Sequence, residues 1–355
     1  MNWRDKELEV APGNPVYKVK NNILYTADGK TVVFSSKQSG TVKIADGVKT
    51  IAGEAFHGSA LTALELPKSL EKIEAGAFEN CTKFRRIKVS AKNPYMMEKA
   101  GALYTKNGKK LLYAGVARGT LMLPKKTTQI AANAFYGNTT VEMVFIQGKM
   151  KKLAKKSLAF SRIKDVTLPD SLQEIEEGAF MYCSKLADVE IPKSVKKIGA
   201  NAFDGCYELE RVVLPKKLTT LEKETFRNCY SLRKIALPKS LRTIKAGTFE
   251  SCGFNQLVIP KSVKSIGKNA LQVTTKKLIF KGKNVPKIAK QDACQYGKYA
   301  GNTDPDFDLG VVRLDYIDIQ YPMQHGIGKV KVPAESTGKY TKTLKGKMEY
   351  RELEY

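Results

Sequence analysis

An aromatic residue returns along this chain at a nearly constant interval. Phe56, Phe78, Phe135, Phe180, Phe203, Phe226 and Phe249 mark it, with Leu158 and Leu271 in the same role and Cys294 closing the series. The step from Phe78 to Phe135 is more than twice the others and holds an insertion; the rest form a lattice. A period of about two dozen residues is the mark of a solenoid, in which each repeat packs only on its neighbours.

The stretch from Ile191 to Leu214 shows how one unit works. In Leu186-Ala187-Asp188-Val189-Glu190-Ile191 the first, fourth and sixth places are apolar, the pattern of a short half-buried strand. Pro192 removes a backbone donor and ends the strand, and Lys193-Ser194 make the corner. Val195 and Ile198 turn the chain inward again, Ala202-Phe203 fill the coil, and Cys206 and Leu209 lead on to the next strand. One coil cannot bury its own Phe. Coils stacked at about 4.8 Å would pile Phe180, Phe203, Phe226 and Phe249 in a row and seal one continuous interior.

The words LPKSLEKIEAGAF (Leu66 to Phe78), IPKSVKKIGANAF (Ile191 to Phe203) and LPKSLRTIKAGTF (Leu237 to Phe249) resemble the BspA-like leucine-rich repeats of bacterial surface proteins. The resemblance runs from about Thr41 to Cys294. It implies an α/β repeat fold: a right-handed leucine-rich-repeat solenoid with short strands, inserted β-hairpins and a C-terminal cap. It also implies a place outside the cell or on a bacterial surface, and adhesion to host proteins, as attributed to some members.

The chain divides accordingly, within one structural domain. Residues 1–40 form a polar lead-in and a β-hairpin cap, in which Leu24-Tyr25 and Val32-Val33-Phe34 flank a turn at Asp28-Gly29. Residues 41–296 form the solenoid, with a second hairpin inserted at about 91–118, where Leu103-Tyr104 and Leu111-Leu112-Tyr113 flank Asn107-Gly108. Leu24 to Leu103 and Phe56 to Phe135 span equal lengths of chain, so hairpin plus coils is a duplicated unit. Leu158, in place of Phe, predicts a narrower or irregular coil. Residues 297–355 form a capping segment that shields the open end of the stack: an edge strand at Val311 to Tyr321, a strand-then-Pro signal at Val330 to Pro333, and a short helix over 334–344.

With 61 Lys and Arg against 35 Asp and Glu in 355 residues, the net charge is +26. Such an excess draws polyanions, or it keeps the outside of a long solenoid soluble. Cys81, Cys183, Cys206, Cys229 and Cys252 share one repeat position, which suits small buried free thiols; disulfides between coils are the alternative. No Cys/His spacing suits zinc. The N-terminus lacks an apolar signal core and no run of about twenty apolar residues occurs, so neither a signal peptide nor membrane insertion is expected.

Three sets of residues are candidates for binding. Lys68, Lys125, Lys193, Lys216, Lys239 and Lys261 follow the proline in successive units, with Asp170 interrupting. In register they form a column at a corner about 5 Å apart, a polyanion site or simply a solvated edge that deters aggregation. The strands on the concave side, where curved repeats bind, present Arg85, Arg86 and Lys88, then Glu142, Met143 and Phe145, then Asp188, Arg211, Arg233 and Lys234. Charge alternates there, as in a ladder of ion pairs. Met143 and Phe145 break it and offer an apolar contact. Asp304 to Asp308 with Asp315 has the oxygen spacing of a calcium loop, but Leu309 stands where its glycine belongs. The chain carries only His57 and His325, neither beside a plausible nucleophile, and no motif of a hydrolase, nucleotide-binding loop or metalloprotease. The pattern therefore predicts a monomeric, non-catalytic recognition module without cofactor or metal. Its partner would be a host or extracellular-matrix protein or an acidic glycan, with no specific nucleic acid; a structural spacer module of a larger surface protein, or attachment to a polyanion or the cell wall through charge alone, is the alternative.

Overall fold

Three rows of inter-coil hydrogen bonds build the solenoid in the computed structural model, which describes residues 7–36, 39–79, 81–290, 327–331 and 350–354. The first row is made of the predicted strands, paired parallel from coil to coil: Val144 against Val166, and Val189 against Val212 against Ile235. These inward residues are buried, while their neighbours Asp165, Thr167, Asp188 and Glu190 face out. The second row consists of two-residue strands, in which Leu153, Ile175 and Ile198 stack, followed by Leu221, Ile244, Ile266 and Ile288. The third lies at the aromatic ruler, where Phe180 donates its backbone N–H to the Ala202 carbonyl at 2.8 Å and Phe203 to that of Thr225 at 2.9 Å.

That third row sets the ring spacing. Phe180 and Phe203 stack at 4.9 Å with planes 6° apart, Phe203 and Phe226 at 5.3 Å and 10°, and Phe226 and Phe249 at 5.9 Å and 8°. All four rings are fully buried. The coil at Leu158 departs from simple narrowing. Leu158 fills the anchor place, and Phe160 places its ring between Tyr136 and Tyr182, at 4.8 and 5.1 Å, in a second aromatic file.

The helical half of the α/β expectation is not met: among the described residues there is no helix, and turns join the strands. The residue two before each anchor has positive φ: Asn133 55°, Gly178 61°, Asn201 54°, Gly247 62°, Asn269 55°. Glu54, Lys156 and Glu224 take the same conformation before Phe56, Leu158 and Phe226, and the residue two after each anchor is left-handed as well, as at Tyr182 and Gly205. Left-handed residues on both sides of the anchor stop a right-handed helix from forming, and Gly and Asn accept that backbone at least cost.

The shared cysteine position has a bonding reason. Cys183 Sγ donates to the Leu158 carbonyl at 3.0 Å, Cys206 to that of Phe180 at 3.1 Å, Cys229 to that of Phe203 at 3.2 Å and Cys252 to that of Phe226 at 3.0 Å. These four and Cys81 are free thiols. Burial pushes Cys183 up to about 12 and Cys206 and Cys229 well above the ordinary thiol value.

Each hairpin has a third strand. Tyr17–Lys20, within the stretch read as polar lead-in, pairs antiparallel with Ile23–Thr26, which pairs with Thr31–Ser35. The same three-stranded meander returns at Met96–Lys99, Ala102–Thr105 and Lys110–Tyr113. It divides the interior into two clusters. Leu103 belongs to the first, with Phe78 and Phe84, whereas Ala102 and Tyr104 on the other face of the strand belong to the second. Leu24, the equivalent of Leu103 in the first unit, is only half-buried, since among the described residues no coil covers it.

The lattice also resumes beyond 290. Ile327–Lys331 pairs parallel with Thr274–Phe280, and Tyr350–Glu354 pairs with Ile327–Lys331 one repeat length further on, Ile327 against Tyr350. Val330 and Lys331 of the strand-then-Pro signal lie in that strand. The edge strand at Val311 to Tyr321, the helix over 334–344 and the loop at Asp304 to Asp308 lie outside the described residues.

Candidate functional site

Lys68, Lys125, Lys193, Lys216, Lys239 and Lys261 are all exposed. At three of these corners the following serine donates its hydroxyl to a carbonyl of the preceding coil: Ser69 to Val48 at 2.8 Å, Ser194 to Leu172 at 2.6 Å and Ser240 to Leu218 at 2.7 Å.

On the strand face the predicted residues separate into two kinds. Arg85, Arg211 and Arg233 are engaged within the chain. Arg85 donates to the Phe84 carbonyl at 2.9 Å, Arg211 to Asp188 at 3.0 Å and Arg233 to the Gly253 carbonyl at 2.8 Å. Arg86, Lys88 and Lys234 extend outward. Lys164 bonds Glu142 at 3.2 Å, so the alternating charges do pair across strands there. Met143 and Phe145, read as exposed, are half-buried, and Met143 sulfur accepts the Thr120 hydroxyl at 3.8 Å. The exposed member of that patch is Met122, 59% accessible and paired with Phe145. Aligning its strand with the next would have found it.

The same outward column changes character along the stack. Lys43, Glu65 and Lys88 align in the first coils. Glu190 aligns with Val213, which is 40% exposed; Ala236, one lattice step on, is exposed, and Val258 and Ile279 pair half-buried. The adjoining outward column carries Arg211 and Lys234, then Gln256 and Lys277. Sequence reasoning missed this apolar row because it compared charges within strands and not down columns.

Charge is partitioned too. From Met150 to Leu232 there are 15 Lys and Arg against 12 Asp and Glu, whereas from Arg233 to Lys290 there are 14 against Glu250 alone. Several of the middle acids pair across coils. Glu174 lies between Lys152 and Lys197, each at 2.8 Å; Glu177 meets Lys155 at 2.9 Å and Glu208 meets Lys185. Hydrogen bonds from Lys152 and then Lys197 hold the Glu174 carboxyl below the ordinary glutamate range. Asp204, 1% exposed, accepts two bonds from Arg227, at 2.7 and 3.2 Å. Burial pushes its carboxyl up, and the guanidinium pulls it back. Among the described residues no three acidic, His or Cys side chains are placed to hold a metal ion, and no helix is long and apolar enough to cross a membrane.

A shallow trough of about 520 Å³ lies on the short-strand face of the last coils, where Lys223, Lys245 and Lys287 stand around Thr243, Ser265 and Gly267. It opens because this column changes from Lys152, Glu174 and Lys197 to Thr220, Thr243 and Ser265.

Known proteins place this architecture. The family described as BspA type leucine rich repeat region matches in six copies, over residues 30–112, 104–186 and 151–279. A leucine-rich repeat protein from Eubacterium ventriosum has a similar fold, with a TM-score of 0.50 at 20% identity over 65% of this chain, and the chain covers 63% of that protein. A leucine rich cell surface protein from Faecalibacterium prausnitzii matches with a TM-score of 0.41 at 17% identity, covering 75% of this chain and 88% of its own. One from Bacteroides ovatus gives 0.40 at 16% identity, covering 96% and 98%. Among curated proteins, none matches. With the stacked rings, the parallel rows and the family match over most of its length, this chain belongs to the BspA-type leucine-rich repeat family.

Proposed function

We propose that the chain is a non-catalytic recognition module displayed at a bacterial surface, which holds a host or matrix protein or an acidic glycan against the coils from Arg233 to Lys290. Family membership supports the surface placement. The observation that carries the binding surface is the partition of charge: 14 basic residues against one acid between Arg233 and Lys290, after coils whose 12 acids nearly balance their 15 bases. Such a region attracts acidic partners over a Debye length, about 8 Å at physiological salt, whereas the middle coils largely cancel. The middle coils then serve as a rigid spacer.

A binding panel of matrix proteins and acidic glycans, probed with the full chain, tests this. Replacing Lys234, Lys261 and Lys277 with Glu should weaken capture about tenfold or more, and replacing Lys152, Lys155 and Lys185 should leave it unchanged. Equal losses from both triple variants, or no capture by the parent chain, would overturn the proposal.

A further inference from the structure

The geometry points to the long-strand face of the last coils as a seat for an acidic amphipathic helix of a partner protein, its apolar stripe on Val213, Ala236, Val258 and Ile279. This rests on the proposed recognition at the basic end and names the partner and the face.

Three observations converge. The first is the row itself: four aliphatic side chains one coil apart on the outward side of paired strands, where the early coils carry Lys43, Glu65 and Lys88. Asn255 donates its backbone N–H to the Arg233 carbonyl at 3.2 Å, which carries the register from the coil of Ala236 to that of Val258. The second is charge on both borders. Arg211, Lys234 and Lys277 lie in the adjoining column, and Lys216, Lys239 and Lys261 stand exposed just past the strand ends. An apolar strip between two basic borders complements a helix with an apolar stripe flanked by carboxylates.

The third is pitch. Strands about 4.8 Å apart place the outer members of the row about 14 Å from each other. A helix along the stack advances about 5.4 Å per turn, so its stripe is about 2 Å out of step after three coils. An extended peptide repeats its face about every 6.6 Å and is about 5 Å out of step by then. The helix keeps register and the extended chain does not. A glycan has less use for bare aliphatic side chains.

The test uses the full chain and three probes at moderate salt. They are a synthetic helical peptide of about four turns with Leu in one stripe and Glu on both flanks, a scrambled peptide of the same composition, and a sulfated oligosaccharide of equal charge. The ordered peptide should bind about tenfold or more tighter than the scrambled one, because only an ordered stripe buries apolar surface on the whole row. A Val213→Ser/Ile279→Ser variant, checked by its unchanged melting curve, should lose that advantage while keeping the scrambled peptide's weak affinity. Equal binding of the two peptides, or binding of the oligosaccharide alone, would remove the helix seat and leave recognition of acidic partners standing. Failure of all three probes would remove both.

Discussion

The coils from Met150 to Leu232 and those from Arg233 to Lys290 share one lattice and one kind of core, yet they treat charge in opposite ways. In the first group an acid on one coil meets a base on the next, as at Lys152, Glu174 and Lys197 or at Asp204 and Arg227. In the second group the bases remain and all but one of the acids are gone. Core positions are dictated by stacking, so the aliphatic and aromatic files continue through both groups. Outward positions are not, and the lattice leaves them open to be used for self-pairing or for a partner. The same backbone is nearly neutral in one stretch and strongly basic in the other.

The comparison can be broken most severely at Asp204. Arg227→Ala leaves a carboxylate that is 1% exposed without its partner, and should cost about 3–5 kcal/mol in denaturant unfolding. A loss within about 0.5 kcal/mol would mean that the pair is not what joins those coils. Acid should act next. Glu174 has its carboxyl held below the ordinary value of 4.5, so its contribution is present above that pH and disappears as pH falls through the lowered folded value. Glu174→Gln should flatten the acid limb of the stability curve by at most about 1 kcal/mol, because Lys152 and Lys197 are largely exposed. The smallest effect is expected in the last coils. Lys261→Glu and Lys277→Glu should leave the melting temperature unchanged or slightly raised by relieving like-charge repulsion, and a marked loss of stability would show hidden ion pairs there. Thiol titration sharpens the shared part of the account: Cys183, Cys206, Cys229 and Cys252 should resist modification until the chain unfolds.

How much of this was legible follows from which physical rule wrote each position. The Phe file, the apolar strand places and the Cys position repeat because a stack needs equivalent residues in equivalent places, so spacing alone predicts that Phe203 lies on Phe180. The Asn and Gly two before most anchors were visible too, but the left-handed backbone there, which Glu54, Lys156 and Glu224 share, and with it the absence of a helix among the described residues, is a consequence of geometry that letters do not state. Tyr17–Lys20 and Met96–Lys99 were missed because each is a short strand that depends on pairing with its neighbour. The candidate sites were less legible still. Met122 and the row from Val213 to Ile279 are unremarkable within their own strands, and become a surface only when strands from successive repeats are laid side by side.

The most direct measurement is an exchange footprint. Hydrogen exchange of the full chain with and without poly-glutamate should show slowing confined to Arg211–Val213, Lys234–Ile235, Gly253–Ile259 and Thr274–Phe280. The strands Lys152–Leu153, Glu174–Ile175 and Lys197–Ile198 should be unchanged. Equal slowing in both sets of strands, or slowing only in the short strands of the middle coils, would contradict the claim that the basic coils around Arg233 to Lys290 are the binding surface.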